Sequence, residues 1–171
     1  MLAETLGVTR SHPDYYKLQL ANHVLSGAFY ASRLYRDLRE KAGLVYTVES
    51  YIEAKKNRSL FRVFFACDPP NVSRARAMVE RILREMQVTP VTQEELQLAK
   101  TLLVKQIQLA EASTDRIAEG LLSRSMEDLP LDEPLRAAEH YLEAAPYQVR
   151  DAFVRWIRPE DFVQVIVGPN K

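Results

Sequence analysis

Arg39 and Tyr46 stand seven positions apart, and the two side chains offer a fixed fork of guanidinium donors and one neutral hydroxyl donor. Donors of this kind can hold a carbonyl oxygen in place and stabilise negative charge that develops on it. Arg39 has no acid facing it on its own helix. Its i−4 neighbour is Tyr35, its i+4 neighbour Gly43, and its i±3 neighbours are Arg36 and Ala42. A purely structural reading competes with this one. Arginine near a helix C-terminus complements the macrodipole, and a strand tyrosine commonly packs with its hydroxyl at the rim.

Other chemistry-bearing residues are sparse. The chain has three histidines and one cysteine. His12 and His23 lie eleven apart without a carboxylate at metal-motif spacing, and Glu139-His140 has no second histidine at the required distance. His12 and His140 read as surface residues. No His-x-x-Glu-His motif, glycine-rich phosphate loop, Gly-x-Ser-x-Gly elbow or Cys-x-x-Cys occurs. Cys67 follows Phe64-Phe65-Ala66 and reads as a buried thiol rather than a nucleophile. Glu94-Glu95 resembles a carboxylate pair, but adjacent helical positions point about 100° apart, and acids in a first turn serve the dipole.

The elements that must position Arg39 and Tyr46 follow from periodicity. Leu34 and Leu38 give the segment Ser32–Lys41 an apolar helical stripe, and Arg33/Asp37, Arg36/Glu40 and Asp37/Lys41 are opposite charges at i,i+4. Gly43 supplies a left-handed terminator. Leu44 to Ala54 alternates as a strand, Lys55-Lys56-Asn57-Arg58 is a polar, solvated turn, and Leu60 to Cys67 returns. Tyr46 is in phase with the more apolar face, at a first rung from which its hydroxyl can turn out beyond the packed layer.

Elsewhere, Met1 to Gly7 reads as the second half of a strand. Ser11-His12-Pro13-Asp14 predicts a capping box opening a helix to about Ser26. Helical periodicity resumes over Val72–Met86, and Thr92-Gln93-Glu94-Glu95 predicts a second capping box at the head of the longest helix. Further helices are expected over Arg116–Met126, Pro134–Glu143 and Pro146–Ile157, and a terminal strand over Phe162–Pro169. A hairpin first, then helices, then one strand describes an α+β fold: a mostly antiparallel twisted sheet with helices layered on one face.

The run Ser32-Arg33-Leu34, Leu38-Arg39-Glu40-Lys41, Gly43-Leu44 and Tyr46 resembles a signature of the pitrilysin-type zinc peptidases. Thr92-x-Glu94-Glu95-Leu96-x-x-Ala99-Lys100 and the closing Gly168-Pro169 are similar to the same family. Ser26 stands where that family has the first of two glycines. The resemblance extends from about Gly7 to Asn170, and it implies the half of such proteins that binds no zinc. It further implies that Arg39 and Tyr46 reach across to a peptide held at zinc in an N-terminal domain or subunit. This chain is then expected to hold no metal or cofactor and to be inactive alone. The alternative is a non-catalytic structural or assembly subunit of the same fold.

Composition agrees with one ordinary domain. The chain has 171 residues, 47% hydrophobic and 27% charged, with Lys plus Arg and Asp plus Glu equal at 23 each. That balance gives no basic excess for nucleic acid. No apolar stretch approaches the ~20 residues of a membrane helix, and no basic segment followed by an apolar run opens the chain. Residues 1–171 are expected to be a fragment of a larger peptidase, with a shortened first strand whose open edge invites self-association.

Overall fold

The computed structural model describes residues 1–168. In order, the main elements are β1 (Leu2–Leu6), α1 (Asp14–Asn22) with a π-helical continuation (His23–Gly27), a second π-helical turn (Tyr35–Lys41), β2 (Thr47–Ala54) and β3 (Ser59–Ala66). Then follow α2 (Val72–Val88), α3 (Gln93–Ala110), α4 (Thr114–Met126), α5 (Glu133–Glu143), α6 (Pro146–Trp156) and β4 (Val163–Gln164). The strands form one antiparallel sheet in the order β2-β3-β1-β4. The fold is therefore α+β, as composition and periodicity predict.

Alternation in the strands divides the sheet into two faces. Leu2 and Leu6, Phe61, Val63 and Phe65, and Val48 and Ile52 are buried in one apolar cluster with α1, α2, α3 and α6. Glu49, Tyr51, Glu53 and Phe64 point the other way and are exposed. The hairpin β2–β3 pairs from Thr47↔Ala66 to Ala54↔Ser59. At its tip, Lys56 pairs with Asp128 and is otherwise solvated.

Three expectations change. β1 is an interior strand bonded to β3 along its length and to β4 at Leu2 and Ala3, so the edge expected to be open is partly covered. The edge strands are β4 and β2, and β2 is covered by a stripe of side chains from α1 and its π-helical continuation, spaced three and four apart. Gln19 Nε2 donates to the Ile52 carbonyl at 3.4 Å, Asn22 Nδ2 to the Ser50 carbonyl at 3.2 Å, and Ser50 N–H to Ser26 Oγ at 2.7 Å. Side chains thus satisfy edge groups that would otherwise recruit another strand.

The first capping box also fails to form. Asp14 N–H is taken by His12 Nδ1 at 3.0 Å instead of by Ser11, and the helix begins at Asp14 behind Pro13. The Asp14 carboxylate is drawn away to the Trp156 indole at 3.0 Å and to Arg155 at 2.5 Å. His12 is accordingly half-buried, edge-on to Trp156 at 5.2 Å. Finally, the terminal strand is shorter than its apolar run. Val163 and Gln164 pair with β1, opposite Ala3 and Leu2, Val165 exchanges backbone bonds with Met1 at 2.8 and 2.9 Å, and Val167 is 95% exposed. Pro169, the last residue of the predicted strand, lies outside the described residues.

Glu4 is the one buried carboxylate on β1, 7% exposed, with Arg158 N–H within 3.1–3.2 Å of both its oxygens. Burial raises its pKa to about 7, against the opposing pull of that N–H. In the unfolded chain the same group titrates near 4.5. The folded state therefore binds more protons between these values, and stability falls as pH rises from about 4.5 through 7. The loss is at most about 3 kcal/mol. Denaturant midpoints taken at pH 5 and pH 8 are expected to differ more in the parent than in Glu4→Gln, and equal pH dependence in the two would remove the assignment.

Candidate functional site

Arg39 sits in the π-helical turn, where backbone bonds run to the fifth residue and the helix is widened. The local ion pairs of this turn form only in part as their i,i+4 spacing predicts. Lys41 reaches Asp37 at 2.9 Å as its spacing predicts, but Arg36 turns to its neighbour Asp37 at 3.1 Å and leaves Glu40. Gly43 closes the turn at φ +59°, the left-handed region where a side chain would be strained. Gly43 N–H bonds Arg39 O at 3.2 Å and Leu44 N–H bonds Leu38 O at 2.8 Å. This is a Schellman-type closure widened by one residue. With the Arg39 carbonyl held there, its exposed guanidinium lies over the Tyr35 ring at 5.0 Å. Tyr35 itself is buried and meets Tyr30 edge-on at 5.0 Å. A cation over an aromatic face is attracted by the ring quadrupole, so Tyr35 limits the arginine's freedom without neutralising it.

Arg33, predicted to pair with Asp37, pairs instead with Glu95 on α3. Its Nε donates to Oε1 at 2.8 Å and its Nη2 to Oε2 at 2.6 Å. Glu95 also completes the second capping box: Thr92 N–H donates to its carboxylate at 2.9 Å, and Glu95 N–H to Thr92 Oγ1 at 3.2 Å. Burial alone would raise the Glu95 pKa, but the Arg33 and Thr92 bonds outweigh it and hold the carboxyl below its usual range. One carboxylate thus ties the head of α3 to the segment that carries Arg39.

Tyr46 precedes the first rung of β2. Its N–H donates to Ala66 O at 2.8 Å, which fixes the backbone, while the side chain is 63% exposed although its strand-mates Val48 and Ile52 are buried. The π-helical turn packs against β2, so Arg39 and Tyr46 come from adjoining elements. The Asp68 carboxylate beside the hydroxyl raises the phenol above the ordinary tyrosine range. A phenol so placed keeps its proton.

Asp68 and Tyr35 are the site residues that sequence reasoning missed. Asp68 was legible only as the end of a strand. What brings it to Tyr46 is the hairpin register, Thr47 opposite Ala66, and no spacing in the sequence signals it. Tyr35 was visible as the i−4 neighbour of Arg39, without an assigned role. The remaining candidates do not join them. His23 is 6% exposed with no partner at Nε2, and burial lowers its pKa. His140 is exposed and stacked on Tyr16 at 4.5 Å. Cys67 is half-buried, and desolvation raises its thiol pKa. Among the described residues no three His, Cys, Asp or Glu side chains stand close enough to share a metal ion. No helix among the described residues is long and apolar enough to cross a membrane.

Comparison with known proteins gives four findings. The family described as peptidase M16 inactive domain matches residues 4–103, a span that includes both Arg39 and Tyr46. A Bacillus subtilis protein described as an uncharacterized zinc protease is 23% identical over 167 residues, covering 96% of this chain and 40% of its own length. The crystal structure of a peptidase M16 inactive domain from Pseudomonas fluorescens superposes with a TM-score of 0.82 at 26% identity, over 94% of this chain and 38% of that one. A Helicobacter pylori protease has the same fold, with a TM-score of 0.84 at 15% identity, over 94% of this chain and 39% of that one. The chain thus spans about two fifths of the length of these relatives.

Proposed function

The chain belongs to the peptidase M16 inactive-domain family, and from that premise we propose that it is the substrate-contacting half of a zinc metallopeptidase. Its partner is an N-terminal domain or subunit that carries the zinc, and its ligand is a peptide lying between the two. Among the described residues no cluster of three metal-ligating side chains occurs, and the contribution of this chain is to bind, orient and donate hydrogen bonds. Arg39 anchors a backbone carbonyl of the substrate through its fork of donors. Tyr46 donates its hydroxyl to the scissile carbonyl oxygen or the one beside it, where negative charge grows during hydrolysis.

The observation that carries this reading is the exposure of both donors on tightly held backbone. Arg39 projects from a turn closed by Gly43, and Tyr46 from a strand head bonded to Ala66. Neither is used in the core. The resting neighbours leave both donors available: Arg39 lies over a ring face of Tyr35, and Tyr46 and Asp68 are both exposed.

Arg39→Ala in the complete peptidase, with its zinc half present, tests the anchoring role. Both kcat and apparent substrate affinity are expected to fall, because a group that positions the ground state and the transition state is lost. A variant that cleaves peptides at the parent rate and affinity would return Arg39 to a helix-terminus role.

A further inference from the structure

At the opposite edge of the sheet from β2, a cavity of about 640 Å³ lies between β1, the end of α6 and the segment that leads to β4. The ladder between β4 and β1 ends at Ala3, and from Glu4 to Gly7 β1 lines this cavity instead. Trp156 and Leu60 add apolar surface, and Arg158 and Asp161 add charge. Gly7 lets the indole close on the strand, since a Cβ there would lie 3.2 Å from Trp156 Cζ3.

Glu4 is the under-satisfied group of this wall. A carboxylate offers about four acceptor positions, yet among the described residues its oxygens share one donor, the Arg158 N–H, at 3.1 and 3.2 Å. The carboxyl group thus bridges β1 and Arg158, two walls of the cavity, and 7% of the residue stays accessible. Buried charge with unfilled acceptor positions is costly, and here it calls for a ligand that brings donors. We propose that this cavity binds a small primary amine with a short apolar chain. Charge selects the class. Arg155 is taken by Asp14 at 2.5 Å and Arg158 by Asp161 at 4.0 Å, which leaves the Glu4 carboxylate uncompensated. An ammonium brings three donors to it, and the chain rests on Trp156 and Leu60. The volume falls in the range of small-molecule sites.

The test is an NMR titration of the purified protein with butylamine at pH 8, using 1-butanol and butyrate as controls. Butylamine is expected to give saturable shifts at β1 and the end of α6, with both controls binding about tenfold or more weakly. Glu4→Gln removes the charge at nearly constant shape, and it should weaken butylamine by about tenfold or more. A second arm needs no variant. The Glu4 carboxyl titrates at about 7, so it is mostly ionised at pH 8 and about one-tenth ionised at pH 6. Butylamine should therefore bind about tenfold more weakly at the lower pH. The charges acting on Glu4 are Arg158, Asp161 and Glu160, and His12 lies edge-on to Trp156 at 5.2 Å. A pH dependence that persists in Glu4→Gln would belong to another group such as His12 and would overturn the assignment. N-acetyl-lysine amide carries the same ammonium on a peptide unit. Tighter binding of that compound than of butylamine would hand the site to lysyl side chains and overturn its assignment to a free amine. Absence of saturable butylamine binding would mean a cavity filled by water only. Equal binding of 1-butanol, or one affinity at both pH values, would overturn the proposal as well.

Discussion

Tyr46→Phe in the complete peptidase is expected to lower kcat by about 10²–10³, the usual cost of one donor to a developing oxyanion, while KM changes little. The split follows from where the hydroxyl acts. It meets an oxygen whose charge grows only toward the transition state, so its loss is felt in turnover and hardly in ground-state binding. The ring stays in place in the phenylalanine variant, and the backbone remains bonded to Ala66, so folding is not in question. Because Asp68 raises the Tyr46 pKa, the parent should lose no activity through this phenol below pH ~10. Steady-state kinetics on a peptide substrate decide the matter. A fall in kcat/KM that comes wholly from KM would make Tyr46 a binding contact and nothing more.

Glu95→Ala is expected to destabilise the fold by about 3 kcal/mol, the scale for breaking a largely buried ion pair by removing one partner. The side chains of Arg33 and Glu95 are only 12% and 18% exposed, so the deletion leaves a guanidinium poorly solvated. It also strips the capping box from the head of α3, a further loss of about 1 kcal/mol. Adding Arg33→Met to Glu95→Ala should restore part of the stability, since the stranded charge is the main cost. Urea unfolding of the two variants, with the exposed neighbour changed in Glu94→Ala as reference, provides the measurement. If Glu95→Ala costs no more than Glu94→Ala, the bond between α3 and the Arg39 segment contributes nothing to stability. The same substitution should also loosen Arg39, because Arg33 is the link by which α3 restrains that segment.

Much of this was written in the order of residues. Strand alternation through Val48 and Ile52, the apolar stripe of α2, and the Thr92–Glu95 capping box each depend on neighbours within a few positions, and each forms as read. Gly43 likewise adopts the left-handed conformation its place after a helix implied. Local rules failed where a distant group competed for the same atoms. Ser11 did not cap α1, because His12 took the Asp14 N–H and Trp156 and Arg155 took the carboxylate. Arg33 did not pair with Asp37, because the turn is π-helical and Glu95 lies within reach.

The site divides in the same way. A cation without a helical partner and a phenol at a strand head are visible in one dimension, but it was the family resemblance that singled out Arg39 and Tyr46 as a pair. Their surroundings are not visible in that way. Asp68 meets Tyr46 through the hairpin register, Tyr35 lies beneath Arg39 across a widened turn, and the cavity beside Glu4 gathers residues from position 3 to position 163. Such contacts are made between elements far apart along the chain. Only the packing of helices against the sheet decides which buried groups are satisfied there and which are left waiting for a partner.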